Sequence, residues 1–169
     1  MSTAVGNHLV FFKVELEKLL SGSEKTTGHV GSVRLKSFPN ICISNPENSS
    51  RSERRRTLNP ELEPITLVYG LCGAVPQAMQ VMTLGQNLGV LTISEVISDG
   101  ENVQLHREVI LKEVYITNWS IMLVEEGLVC SIVVEYGSIE QSRVSYDQAL
   151  VAQGKTSMSA SQILQTTTV

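Results

Sequence analysis

The chain has 169 residues, of which 42% are hydrophobic and 18% are charged, and its formal net charge is −4 at pH 7. A chain of this length can bury about 70% of its unfolded surface, and its composition excludes an intrinsically disordered protein. The negative net charge argues against a dedicated nucleic-acid-binding protein. No apolar run approaches the roughly 20 residues that span a bilayer, so we expect no membrane insertion.

The N-terminal part of the chain predicts two strands. Apolar and polar residues alternate over residues 10–16, which indicates a strand with one apolar face. This short apolar run follows no basic region, so we expect no secretory signal peptide. Alternation resumes at residues 33–35 and the apolar pattern continues to residue 43, where Pro39 predicts an edge position or a bulge.

Residues 45–60 form the most polar segment, with two prolines and four arginines. Loops longer than about 12 residues in a compact domain are usually functional or disordered. This loop could be a nucleic-acid or acidic-lipid patch, a solvated excursion, or an arm that docks on an acidic protein surface. Nearby glutamates dilute its positive field, so we expect no nucleic-acid partner. The arginines are Arg51, Arg54, Arg55 and Arg56.

One short helix is predicted in the middle of the chain. A strand over residues 65–69 comes first, with apolar residues at alternate positions. Val75, Ala78 and Met82 then follow the i, i+3, i+7 spacing of an amphipathic helix. A proline suits its first turn and a glycine suits its end, so the helix is predicted over about residues 75–84.

The second half of the chain predicts strands joined by short turns. Residues 91–97 predict a strand, and Asp99–Asn102 predicts the hairpin turn that follows it. Residues 124–127 predict a second turn. Residues 128–136 and 139–146 predict the last two strands.

The strand after the first hairpin turn changes its inside–outside phase. Val103, Leu105 and Leu111 share one phase, whereas Val114 and Ile116 occupy the other. A side-chain period of two cannot change faces without a bulge, a bend or a new strand. The sequence therefore predicts a break in the middle of this segment.

Together these elements predict a mainly β protein with one short α-helix. Seven to nine antiparallel strands at regular spacing favour a β-barrel or a two-sheet sandwich. We predict a single domain over residues 1–148. Residues 149–169 are rich in serine, threonine and glutamine, and we expect a loosely held tail that could begin with a short helix.

Residues that could carry chemistry are few and scattered. No two histidines have metal-ligand spacing, the cysteines have no CxxC spacing, and no phosphate-binding or nucleophile motif is present. We therefore expect no catalytic site, no metal and no cofactor. The candidates considered are His8, His29, His106, Cys42, Cys72 and Cys130.

Four stretches, in this order, resemble the hemolysin-coregulated protein (Hcp) family. The region His29–Phe38 is similar to a family strand with the pattern HxGxIxVxSF. Gly100–Asn102 is similar to a GEN turn, Val109–Thr117 to a strand with the pattern ITLKEVxVSS, and Leu128–Tyr136 to the strand after it. The helix after Pro76 also falls where the family has one.

The resemblance implies a structural protein, the tube subunit of a bacterial type VI secretion system. Six copies would close a ring, rings would stack into a tube that is propelled outward, and the lumen could carry an effector. It also implies two sheets curled into a barrel, with a bend at Lys112–Glu113 where one strand passes from sheet to sheet. The expected location is the bacterial cytoplasm and then the exterior, through the secretion apparatus. Sheath, spike and effector proteins are the other expected partners.

Two surfaces are predicted to make the contacts between subunits. Val129 and Val133 give the strand at residues 128–136 a second apolar face, which predicts contact within the ring. The loop at residues 45–60 is predicted to join one ring to the next, with its arginines paired to carboxylates of a stacked copy. The partners could be Glu125 and Glu126, or the glutamates at positions 61 and 63.

Two alternatives remain open at the level of sequence. A tail-tube protein of a phage or phage-derived particle would share the fold. A monomeric β-barrel that binds a small apolar ligand would instead remain near the mass of one chain, 18.5 kDa.

Overall fold

The computed structural model describes residues 7–26, 28–44, 60–98, 103–146 and 152–161. These ranges contain eleven strands and one α-helix. The strands are β1 (Asn7–Val14), β2 (Val33–Arg34), β3 (Ile43–Ser44), β4 (Glu61–Leu62), β5 (Ile65–Gly70), β6 (Val90–Ser98), β7 (Val103–Lys112), β8 (Tyr115–Val124), β9 (Gly127–Glu135), β10 (Ser138–Tyr146) and β11 (Ala152–Ser161), and the helix α1 is Ala74–Leu84. The mainly β fold with one short helix agrees with the sequence prediction.

The strands form two principal antiparallel sheets that face each other as a sandwich. The larger sheet has the order β11-β10-β7-β6-β1-β2, and the smaller has the order β5-β9-β8. Leu35 and Lys36 join the sheets on one side, because the amide of Leu35 donates to Val10 and that of Lys36 donates to Val68. On the other side the described strands β8 and β11 remain sheet edges, so the sheets do not close into a barrel.

Large apolar side chains fill the space between the two sheets. The alternation that predicted β1, β5 and β9 places their inward residues here, each almost fully buried. Phe12 lies edge-on against Tyr69, with ring centroids 5.6 Å apart. The helix α1 covers the end of the core next to β8, where Trp119 donates its indole N–H to the carbonyl of Val75 at 3.0 Å.

The predicted phase change is a boundary between two strands in different sheets. Strand β7 ends at Lys112 in the larger sheet, and β8 begins at Tyr115 in the smaller one. Between them Glu113 has a positive φ of 55°, a conformation that turns the chain sharply. The chain returns to the larger sheet between β9 and β10, next to this turn. There the amide of Gly137 donates to the carbonyl of Lys112 at 2.9 Å.

A second phase change, which the sequence pattern did not predict, occurs inside β7. Arg107 lies opposite Glu95, whereas Leu105 lies opposite Val96, so His106 is an extra residue in a β-bulge. The bulge turns Leu105 to the outer face of the sheet, away from the core. The prediction that Leu105 shares a face with Leu111 was therefore wrong.

The C-terminal segment also departs from the prediction. Residues 152–161 form β11, which pairs along its whole length with β10. The expected loose tail with a helix at its start was wrong for these residues, because backbone pairing to β10 does not need an apolar side-chain pattern. The predicted hairpin turn at Asp99–Asn102 lies outside the described residues.

The helix and the second turn lie where the sequence placed them. The helix begins one residue before the predicted start, and Gly85 ends it with a left-handed φ of 61°. Glu125 and Glu126 form the turn between β8 and β9.

Candidate assembly surfaces

The two residues predicted at the ring seam differ in their exposure. Val133 lies on the outer face of the smaller sheet, between Thr66 and Asn118, and is half-buried. Val129 is only 1% exposed, so the chain itself covers its side chain. Val133 is thus the member of the pair that a neighbouring subunit could reach.

The end of the β8–β9 hairpin carries a patch of uncovered apolar side chains. We call residues 121–128 the hairpin end. Consecutive residues of a strand point to opposite faces, so this end is apolar on both faces. Its turn adds two exposed carboxylates, Glu125 and Glu126. The exposed apolar residues are Ile121 (46%), Met122 (42%), Leu123 (77%), Val124 (39%) and Leu128 (52%).

The long polar loop starts from a neck, by which we mean strands β3 and β4 together with Glu63. Its arginines, at positions 51 and 54–56, lie outside the described residues. Strands β3 and β4 pair on either side of the loop, with Ile43 opposite Leu62. Tyr136 donates its hydroxyl proton to the carbonyl oxygen of Glu63 at 2.9 Å. Burial raises the pKa of Tyr136 to about 12, so the hydroxyl keeps this proton at neutral pH.

A charged cluster fixes the segment that leads to this neck. Glu95 Oε1 lies 3.1 Å from Nδ1 of His8, and its Oε2 lies 3.4 Å from Nε of Arg107. The guanidinium carbon of Arg107 lies 4.5 Å from the ring centroid of Phe38, a cation–π contact. This chain of contacts holds Phe38, and with it the start of the 38–44 segment, against the larger sheet.

The reactive side chains among the described residues form no metal-binding group. No group of three or more His, Cys, Asp or Glu side chains within these ranges is placed to hold a metal ion. All three cysteines are free thiols. Burial raises the pKa of the Cys130 thiol, which makes it a poor nucleophile, and burial also raises the pKa of Tyr69. No helix among the described residues is long and apolar enough to cross a membrane.

Sequence reasoning missed the hairpin end and the charged cluster. The run Ile121–Val124 contains four consecutive apolar residues before a turn. Such a run at the end of a strand has no polar face, so the sequence alone could have predicted an exposed apolar surface here. The cluster around Glu95 depends on contacts between residues 87 positions apart, such as His8 and Glu95. No local pattern could have predicted it.

Comparisons with solved structures find proteins of similar fold. A comparison with curated proteins finds no match. Three similar solved structures are Hcp1 from Salmonella typhimurium (10% identity, 92% of this chain and 95% of that one, TM-score 0.73), a type VI secretion system effector from Yersinia pestis (12%, 90% and 98%, 0.67) and secreted protein Hcp3 from Pseudomonas aeruginosa (13%, 91% and 96%, 0.65). At these identities the likeness shows the fold.

The sequence itself carries the family assignment. The family model described as "Type VI secretion system effector, Hcp" matches residues 11–151, which is most of the chain. The match begins within β1, continues past the end of β10 and includes the helix α1. The resemblance inferred from the sequence is thereby confirmed, and the chain belongs to the Hcp family of type VI secretion system proteins.

Proposed function

We propose that this protein is a ring-forming subunit of the inner tube of a type VI secretion system. The observation that carries the proposal is the family match over residues 11–151, since Hcp proteins form ring oligomers and serve as structural tube proteins. In this proposal the rings stack into a tube that is propelled out of the cell. The lumen carries effectors, and sheath and spike proteins of the apparatus are the remaining partners.

In the proposal the protein has no catalytic role. The surface features described above suit assembly better than chemistry. An apolar hairpin end is the kind of surface that a protein–protein contact covers. The buried thiol and phenol groups are poor nucleophiles because burial raises the pKa of each.

Sizing of the purified protein tests the proposal directly. A hexameric ring of 18.5-kDa chains should elute at about 110 kDa and appear as rings by negative-stain microscopy. Tubes should form as the concentration rises. A protein that remains near 18.5 kDa at every concentration would favour the monomeric ligand-binding alternative.

The seam within the ring is proposed to include Val133. A charge there would be buried by a neighbouring subunit, and an unpaired buried charge is costly. We expect Val133→Asp to reduce the ring fraction while the monomer keeps its circular dichroism spectrum and its melting behaviour. Rings of normal abundance from this folded variant would place the seam elsewhere.

The ligand-binding barrel and the phage tail tube, the two alternatives, differ in how well each fits the packed space between the sheets. A ligand-binding barrel needs an open internal space, whereas Phe12, Leu67 and Ile132 are fully buried between the sheets. A phage-type tail tube shares the architecture and the expected ring. The family assigned here favours the secretion system over the phage particle.

A further inference from the structure

A groove crosses the outer face of the larger sheet, on the side away from the core. Its volume is about 530 Å³, within the range of sites that hold small organic molecules. Strand β6 forms its floor, where Thr92 and Ser94 have short side chains, and β1 and β7 lie on either side. Neighbouring strands are about 4.8 Å apart, so the two walls stand about 10 Å apart. We call this feature the surface groove.

The wall on the β1 side is aromatic. The ring of His29 lies over that of Phe11, with centroids 4.7 Å apart and an angle of 19° between the planes. Phe11 is almost fully buried beneath it, whereas His29 is half-buried and lines the groove. Burial lowers the pKa of His29, so its ring is neutral at neutral pH and offers an uncharged aromatic surface.

The wall on the β7 side exists because of the β-bulge at His106. The extra residue turns Leu105 outward, and its side chain lines the groove. Without the bulge, the alternation along β7 would direct Leu105 toward the core. Glu108 completes this wall and lies directly opposite Ser94 of β6. Bulges that redirect a side chain often lie beside functional sites, and this one places an apolar side chain near a carboxylate.

The charge of the groove is negative. Glu15 and Glu108 both line it, and within the described ranges neither carboxylate forms an ion pair with a lysine or an arginine. Lys13 also lines the groove, but its Nζ lies 2.9 Å from Oε1 of Glu17. Glu108 is half-buried, so solvent screens its charge less than that of a fully exposed carboxylate. An apolar wall beside such a carboxylate favours a ligand that is both apolar and cationic.

We propose that the surface groove binds a small organic amine with an aromatic body. The ammonium group donates hydrogen bonds to Glu108, and the aromatic body packs between Leu105 and the ring of His29. Glu15, just beyond the end of β1, adds to the attraction for the cation. The site belongs to one chain and lies outside the sandwich, so the inference goes beyond the proposed function and does not depend on it.

A matched pair of ligands tests the proposal. Phenethylamine and 3-phenylpropanoate carry the same ring on a short chain but have opposite charges. Saturation-transfer difference NMR suits weak ligands and large assemblies, so it can be applied to the protein in any oligomeric state. At pH 7.5 we expect saturable binding of phenethylamine with a Kd of about 1 mM. Binding of 3-phenylpropanoate should be at least about tenfold weaker, because its carboxylate meets like charge.

Variants then locate the binding site. Glu108→Gln keeps the size of the side chain and removes its charge, so phenethylamine should bind about three- to tenfold more weakly. Thr92→Leu fills the floor of the groove and should block binding of the ring. Glu140→Gln is the matched control, because it removes the same charge from the same sheet, on β10 and outside the groove, and it should bind as the wild type does. Melting followed by circular dichroism checks that each variant is folded.

The results that would overturn the proposal are distinct. Equal binding of the two ligands, or no saturable signal from either, would do so. So would binding of phenethylamine that both Glu108→Gln and Thr92→Leu leave unchanged. An equal loss of binding in Glu140→Gln and Glu108→Gln would indicate attraction to net negative charge rather than to the groove, and would also overturn it. Ring and tube formation are measured separately, so none of these results bears on the proposed function.

Discussion

Single side chains on the outer face of β1 show how the first loop is held. Phe11 points away from the core, yet it is 1% exposed because the His29 ring stacks on it at 4.7 Å. Burial lowers the pKa of His29 and outweighs the opposite effects of Glu24 and Glu108, while Lys13 lowers it further. The folded protein therefore holds this imidazole in its neutral form.

The lowered pKa of His29 predicts a loss of stability in mild acid. The unfolded chain takes up the proton near pH 6.5, whereas the folded chain takes it up only at lower pH. Stability should thus be complete above pH 6.5 and should fall as the pH drops below it. Urea unfolding at pH 7.5 and pH 5.5 measures the effect, and His29→Phe should reduce the difference. An unchanged difference in that variant would assign the pH dependence to other groups.

Gly22 is a second residue whose identity is dictated by close backbone contact. A Cβ atom at this position would lie 2.1 Å from the carbonyl oxygen of Ser32 and 2.8 Å from Cα of Val33. The same two segments are joined by the amide of Gly22, which donates to the carbonyl of Gly31 at 2.8 Å. Any side chain would force these segments apart.

Gly22→Ala should consequently destabilise the protein by about 1–3 kcal/mol, the usual cost of overpacking. Gly73→Ala is the matched control, because no atom lies within 4 Å of a Cβ at that position. Thermal unfolding of both variants checks the expectation. Equal melting temperatures would show that the segment around Ser32 moves aside without cost.

At the scale of elements, the sharpest feature is the paired crossing between the two sheets. The chain passes from the larger to the smaller sheet at Glu113 and returns at Gly137. The two sites touch, since a Cβ on Gly137 would lie 2.5 Å from a carboxylate oxygen of Glu113. Each crossing therefore restricts the residue types allowed at the other.

The left-handed backbone of Glu113 makes it sensitive to side-chain shape. A β-branched residue is strongly disfavoured at positive φ, so Glu113→Val should cost about 1–3 kcal/mol. Glu113→Gly should have a small effect, because relief of strain offsets the greater flexibility of the unfolded chain. Denaturant unfolding of the two variants measures the contrast, and equal destabilisation by valine and glycine would contradict it.

Elements with strong side-chain periodicity could be predicted from the sequence, and those fixed by distant contacts could not. The helix ends at Gly85 as its spacing indicates, and the break near Glu113 is visible as a change of phase. The bulge at His106 could not be predicted from the sequence pattern. It turns Leu105 outward into the surface groove, where an apolar residue is as suitable as it would be in the core. Strand β11 pairs with β10 through its backbone and packs Ala160 against the core, which leaves no clear apolar alternation in a serine-rich sequence.

The two ends of the molecule carry different surfaces, as head-to-tail stacking of the proposed rings would require. The neck of the arginine-rich loop lies at one end of β9 and the hairpin end lies at the other. In the proposed tube, two different surfaces at opposite ends would make a heterologous contact, and such contacts repeat along an axis. In the proposed assembly the ring would close through other surfaces, and the half-exposed Val133 is the proposed member of that contact.

If charged contacts join the rings and apolar contacts close each ring, salt should weaken the stacking of rings before it weakens the rings themselves. Exposed ion pairs contribute about 0–1 kcal/mol each, but repetition around a ring multiplies their effect. Ions screen such pairs, whereas apolar contacts within the ring are less affected. Replacing Arg54, Arg55 and Arg56 with serine should leave single rings intact and abolish tubes, and rising salt should shorten wild-type tubes first. Electron microscopy across a salt series provides the measurement. Tubes of normal length from the serine variant would make the loop a solvated insertion, and loss of its rings would place these arginines at the seam between neighbouring subunits.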